Sequence, residues 1–132
     1  MNILKNELEA AIENALSTAG NNLEANKAYL EFIKANFIIP IDKKSDPLLP
    51  EVLYLEDNGN VFLPVFTNMS YFDLWANTIK DDITILKLSG VNLLQGIGDN
   101  VIVSLNIGSE IYKEFNPQEL ARMRSMVLKL FK

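Results

Sequence analysis

The sequence predicts an α+β fold: a mixed sheet of four to five strands that contains a β-hairpin, with an N-terminal helical hairpin and a C-terminal helix packed on it. Residues 2–36 and 116–132 place apolar side chains at helical spacing. Between them, short β-branched runs alternate with glycine, proline and asparagine. The chain has 132 residues, 48% of them apolar, which suits a single domain over residues 1–132.

Two amphipathic helices are predicted at the N-terminus. The first covers residues 2–19, and Gly20 supplies its stop. Asn21 and Glu24 have capping-box spacing for the second helix, which runs to about Asn36. Three glutamates lie mostly off the apolar stripe of the first helix: Glu7, Glu9 and Glu13. The broad apolar face of this hairpin either packs on the sheet or stays partly exposed for a partner.

Three strands are predicted next. Residues 37–41 form a β-branched run that contains a proline, which indicates an edge strand, and residues 42–50 form a polar loop. Residues 51–56 and 61–66 are strand-like and flank Asp57-Asn58-Gly59-Asn60, a strong hairpin signal.

A helix and a strand are predicted in the middle of the chain. Ser70 and Asp73 have capping-box spacing for a short helix from Tyr71 to about Ile79. A strand over residues 83–88 then leads into one or two helical turns over residues 89–95.

The last third of the chain predicts a short buried strand over residues 101–105, a loop over residues 106–115 and the final helix. Asn116 is its N-cap, Pro117 takes the first helical position and Glu119 the third. This element has the strongest local signals in the sequence.

The absence of cysteine and histidine excludes several chemistries. No disulfide, thiolate nucleophile, imidazole base or usual zinc ligand set can form. The loop at Gly96-Ile97-Gly98 precedes a strand instead of a helix and lacks a phosphate-binding lysine. We therefore predict no cofactor and no enzymatic activity.

The net charge of −5 bears on partners and location. An acidic chain opposes binding to nucleic acid, which rests on neutralising phosphates. No apolar run is long enough for a membrane span, and the N-terminus lacks the features of a signal peptide. A cytoplasmic location without membrane insertion is the resulting expectation.

One stretch carries a family pattern. Residues 61–68 read VFLPVFTN and are followed by Leu74-Trp75; further on, a short strand leads into Asn106-Ile107-Gly108, and the last helix opens at Asn116. In this order the motifs resemble the N-terminal domain of the bacterial SseB (enhanced serine sensitivity) family. The resemblance covers nearly the whole chain.

Two positions depart from the family pattern. Asn68 stands in place of the usual serine, and Ile107 in place of the proline of an Asn-Pro-Gly turn. Longer members of the family carry a second, C-terminal domain. The resemblance implies a bacterial origin and a tie to secretion, but it brings no firmly assigned biochemical activity.

Two groups of residues are candidates for binding. Four residues at a strand end and helix start are candidates to frame a ligand pocket at a helix N-terminus: Phe66, Thr67, Ser70 and Trp75. The alternative is structural, with aromatic residues in the core and polar residues as caps. Cations of the last helix are candidates to bind a partner, or form only a solvated face: Arg122, Arg124, Lys129 and Lys132.

These observations lead to a non-enzymatic bacterial protein-interaction module, whose partner is another protein or a second copy of the chain. One alternative is an acidic, dimeric secretion-type chaperone. The other is a regulatory domain that binds a small metabolite near Thr67, Ser70 and Trp75.

Overall fold

The computed structural model describes residues 7–17, 22–44, 46, 48 and 51–130. This part of the chain has a mixed α+β architecture, which confirms the predicted fold class. The helices are α1 (Glu7–Ser17), α2 (Asn22–Lys34), α3 (Met69–Ala76), α4 (Gly90–Gly96) and α5 (Pro117–Leu130), with a short 3₁₀ turn at Lys80–Asp82. The strands are β1 (Asn36–Asp42), β2 (Leu55–Asp57), β3 (Asn60–Val65), β4 (Ile83–Ser89), β5 (Val101–Leu105) and β6 (Lys113–Phe115).

The strands form two sheets. β1 and β4 pair antiparallel, and the other sheet has the order β2-β3-β5-β6. β3 and β5 run parallel, whereas the outer pairs are antiparallel, so this sheet is mixed as predicted. Isolated bridges from Ile38 to Phe66 and from Ile41 to Val52 join the two sheets.

Pro40 interrupts the hydrogen bonding along the side of β1 that faces away from β4. β1 pairs with β4 along its whole length. On its other side the Pro40 carbonyl accepts from the Leu53 N–H at 3.1 Å, and the Asp42 N–H donates to the Glu51 carbonyl at 2.9 Å. Because N–H groups alternate in direction along a strand, the donor that Pro40 lacks falls on this side, away from β4.

The hairpin between β2 and β3 has the geometry that its sequence predicts. Asn58 and Gly59 both have positive φ, 52° and 81°, which matches the right-handed twist of the flanking strands. β2 is shorter than predicted, because the chain from 51 to 54 contacts β1 through Val52 instead of pairing with β3. The prediction of a loop over residues 106–115 missed β6, a three-residue strand whose Phe115 is buried.

The N-cap of α3 is Asn68, and the prediction of a capping box at Ser70 is wrong. The Asn68 Oδ1 accepts from the Tyr71 N–H at 3.1 Å, and Ser70 is exposed in the first turn. Asparagine caps as well as serine does, so the helix starts at Met69, two residues earlier than predicted, on the capping residue that the chain reaches first after β3. It ends at Ala76, and the chain continues to Ile79 as turn.

The capping box predicted for α5 is present in full. The Glu119 N–H donates to Asn116 Oδ1 at 2.9 Å, and the Asn116 N–H donates to Glu119 Oε1 at 3.2 Å. The Ser89 hydroxyl caps α4 by accepting from the Asn92 N–H at 3.1 Å. Gly20, Asn21 and Lys132, for which a stop, a cap and a surface charge are predicted, lie outside the described residues.

The helical hairpin contributes directly to the core. α1 buries Leu8, Ile12 and Ala15, and the Phe32 ring of α2 lies 5.0 Å from the Phe115 ring of β6. Three leucines of the hairpin stay exposed: Leu16, Leu23 and Leu30. No helix within the described ranges is long and apolar enough to cross a bilayer.

Candidate functional site

Two polar residues meet at the carboxyl ends of the parallel strands. Thr67 follows β3, Asn106 follows β5, and the register pairs Val65 with Leu105 just before them. The Thr67 N–H donates to Asn106 Oδ1, and Asn106 Nδ2 donates to the Thr67 hydroxyl, both at 3.0 Å. Asn106 adopts the left-handed region at φ 56°, which turns its amide back toward the strand ends.

Glu9 of α1 completes this group. Its Oε2 accepts from the Thr67 hydroxyl and from Asn68 Nδ2, the latter at 2.9 Å. Glu9 is only 1% exposed and Asn106 is fully buried. We call Glu9, Thr67, Asn68 and Asn106 the strand-end cluster. Its hydrogen bonds join the first helix to the end of β3 and, through Thr67, to the end of β5.

The polar groups of the strand-end cluster bind one another in the interior and stabilise the fold. The Thr67 hydroxyl donates to Glu9 and accepts from Asn106, and Asn68 uses its oxygen to cap α3 and its amide to bind Glu9. Buried polar groups are stable when they are paired in this way. A ligand that contacted Thr67 would first have to displace Glu9.

The four predicted ligand residues lie in different surroundings. Thr67 is part of the strand-end cluster, while Ser70 faces solvent. Phe66 is fully buried, and its ring lies 5.4 Å from the half-buried ring of Trp75 and 5.6 Å from that of Phe72. These aromatic contacts hold α3 on the end of β3.

The outward side of α3 is partly apolar. Leu74 is 70% exposed and Met69 is 42% exposed, although the opposite side of the helix is buried in the core. Ser70 and Asp73 share this outward side by helical spacing. We call Met69, Ser70, Asp73 and Leu74 the α3 outer face.

The predicted cations of α5 have two different roles. Arg124 Nε donates to the Leu94 carbonyl at 2.8 Å, and its Nη2 donates to the Ile97 carbonyl at 3.2 Å, so this side chain closes the end of α4. Arg122 and Lys129 are exposed, and Arg122 Nη2 donates to Asn26 Oδ1 at 3.1 Å.

The outward side of α5 also presents a leucine. Leu128 is 73% exposed beside Lys129, and Ser125 is exposed on the same side. We call Arg122, Ser125, Leu128 and Lys129 the α5 outer face. Two of the three described cations predicted to bind a partner therefore lie on it.

A cleft of about 300 Å³ opens between the helical hairpin and the start of α5. At one end the Tyr29 hydroxyl donates to Glu119 Oε2 at 2.7 Å, and Lys113 Nζ lies 3.3 Å from the same oxygen. Burial and then the Glu119 hydrogen bond raise the pKa of Tyr29 to about 12. Apolar side chains form much of the wall: Ala15, Leu16, Ala25 and Ala28.

Sequence reasoning missed Glu9 and the second role of Glu119. Glu9 lies next to Leu8, at the margin of the apolar stripe. This position on the helix is compatible with burial but does not predict it. Glu119 was predicted only as part of a capping box, but its other oxygen binds Tyr29. Among the described residues, no three carboxylates lie close enough together to hold a metal ion.

The chain forms a small α+β domain in which a helical hairpin and a C-terminal helix accompany a mixed sheet. The strand-end cluster joins the ends of the two parallel strands of that sheet to the first helix. The chain belongs to the SseB family: the family model of the SseB protein N-terminal domain matches residues 8–122. This match confirms the resemblance drawn from the motifs. A comparison with curated protein sequences found no match.

Proposed function

We propose that this chain is a non-enzymatic protein-interaction module that binds its partner through the α3 outer face. The observation that carries the proposal is the exposure of Leu74 on a short helix whose other side is anchored by Phe66 and Trp75. A rigid helix that presents an apolar side chain loses little conformational freedom when a partner covers it. Burial of a leucine contributes about 1.5–3 kcal/mol.

The polar groups beside this face support a binding role over catalysis. The Thr67 hydroxyl and the Glu9 carboxylate bind each other in the interior. The chain has neither histidine nor cysteine to serve as base or thiolate. A bacterial, cytoplasmic setting with a tie to secretion belongs to the same proposal and draws on the family resemblance.

Affinity capture with cross-linking from bacterial lysate tests the proposal. Wild-type protein is expected to retain a defined protein partner, and Leu74→Asp is expected to lose it. Leu23→Asp is the matched control, because Leu23 is a similarly exposed leucine (64%) on α2. Equal capture by the Leu74→Asp variant and the wild type, or no partner for either, would contradict the proposal.

The cleft beside Tyr29 favours a second candidate function, the binding of a small ligand. It combines apolar walls with a hydroxyl, a carboxylate and an ammonium group at one end, and its volume lies at the lower limit of small-molecule pockets. A metabolite panel should then raise the melting temperature of the wild type but not that of Ala25→Phe, which fills the cleft. No shift in the wild type would exclude this candidate for the compounds tested.

A further inference from the structure

We propose that the α3 outer face of one copy of this chain binds the α5 outer face of a second copy. This inference rests on the proposed function, because it assigns a partner to the same face of α3. It commits to self-association instead of a different protein.

Charge complementarity is the first argument. The α3 outer face contains one acidic residue, the exposed Asp73, and the 3₁₀ turn that follows α3 contains the exposed Asp81 and Asp82, with the exposed Lys43 beside Asp82 through its main chain. The α5 outer face carries Arg122 and Lys129. Opposite charges on two surfaces of one chain steer copies together and fix their relative orientation.

The carboxylate of α5 does not cancel its basic face. Glu119 Oε2 is bound by the Tyr29 hydroxyl and lies 3.3 Å from Lys113 Nζ, so its charge is neutralised on the inward side of the helix. In a chain with a net charge of −5, the α5 outer face is therefore a local concentration of positive charge.

The apolar composition of the two faces is the second argument. Leu74 and Leu128 are exposed to nearly the same extent, 70% and 73%. Each has a charged neighbour in the chain, Asp73 beside Leu74 and Lys129 beside Leu128, and each face also holds one exposed serine. Contact between the faces removes both leucines from water and sets acid against base.

The two faces lie on different elements, so the contact is between unlike surfaces. α3 is anchored at the end of β3 through Phe66, whereas α5 packs against α2 and α4. Such a contact closes into a dimer if it is made twice about a two-fold axis, and otherwise extends from copy to copy.

Sedimentation velocity over a concentration series tests this pairing with two complementary variants. Wild-type protein is expected to associate with rising concentration, while Leu74→Asp and Leu128→Asp each remain monomeric. An equimolar mixture of the two variants should form a one-to-one dimer, because each supplies the face that the other lacks. Leu23→Asp is expected to associate as the wild type does.

The paired charges give a second measurement that does not depend on the leucines. Arg122→Glu combined with Lys129→Glu should abolish association, and added salt should weaken that of the wild type. Circular dichroism checks that every variant is folded.

A wild type that stays monomeric at all concentrations overturns the inference, as do single variants that associate normally or a mixture that contains only monomers. These results leave the proposed function intact if lysate capture still depends on Leu74. Failure of the wild type to capture any other protein from lysate, with self-association retained, would instead contradict a role in binding other proteins.

Discussion

Gly90 is a point of close approach between α4 and α2. A Cβ at this position would lie 2.0 Å from the Phe32 carbonyl oxygen and 2.8 Å from that of Ile33, and both are main-chain atoms. The Gly90 N–H also donates to the Ala35 carbonyl at 2.8 Å. The main chain at the end of α2 therefore leaves room only for glycine at position 90, since no side chain can move aside to relieve the contact.

Gly90→Ala should lower the free energy of unfolding by about 1–3 kcal/mol, the range typical of overpacking. Gly96→Ala is the matched control within the same helix, because a Cβ there meets nothing within 4 Å. Urea unfolding of both variants measures the difference. Equal stability would show that α2 and α4 do not approach as closely as described.

Tyr29 should titrate late. Burial and then the hydrogen bond to Glu119 raise its pKa from 10.0 to about 12, so the folded state favours the protonated phenol. The stabilisation from this shift is complete below pH 10 and is lost as the pH rises from 10 toward 12.

Ultraviolet titration of phenolate absorbance measures this effect. The pKa of Tyr112 is also raised to about 12, by burial and then by its hydrogen bond to Glu114, so two late transitions are expected. Tyr29→Phe should remove one of them, and Glu119→Gln should lower the pKa of Tyr29 only in part, because burial remains. A curve unchanged by Tyr29→Phe would be inconsistent with this assignment.

At the scale of elements, the N-cap residue of α3 also binds the first helix. The Asn68 oxygen receives the Tyr71 N–H, while its amide nitrogen donates to Glu9 of α1. The start of α3 is therefore coupled to the position of the first helix. Ser70, on the exposed side of the first turn, takes no part in this coupling.

Asn68→Ala should lower the free energy of unfolding by about 1–2 kcal/mol, because it removes the cap and one hydrogen bond to Glu9. Ser70→Ala should change it by less than about 0.5 kcal/mol, as for an ordinary surface substitution. Thermal denaturation of the two variants compares them directly. A larger loss at Ser70 would return the capping role to that residue.

At the scale of the whole molecule, the strand-end cluster ties together parts of the chain that are distant in sequence. Glu9 and Thr67 are separated by 58 positions, and Thr67 and Asn106 by 39. The bonds connect α1 with the ends of both parallel strands. The helical hairpin and the four-stranded sheet should therefore unfold together.

Glu9→Ala should cost about 1–3 kcal/mol of unfolding free energy, because the Thr67 hydroxyl and the Asn68 amide lose their buried acceptor. Faster hydrogen exchange in α1 should accompany the loss. Glu13→Ala, at an exposed position of the same helix, is the control. If both variants behaved alike, the cluster would not hold the hairpin in place.

The sequence by itself determined the features that depend on neighbours in the chain. Helical periodicity, the Asn-Gly turn and the Asn116 cap predicted the hairpins, the last helix and the fold class, because each of these signals acts within a few residues. The order of the Phe-Thr-Asn segment and Leu74-Trp75 also sufficed for the family resemblance, which the match over residues 8–122 confirms.

Tertiary structure alone decided the burial of Glu9, the cap at Asn68, the strand at residues 113–115 and the inward role of Arg124. Each depends on a partner brought close only when the chain has folded. A glutamate at the margin of a helical stripe is as compatible with solvent as with the core. Its burial followed from the two donors, the Thr67 hydroxyl and the Asn68 amide, that the end of β3 placed beside it.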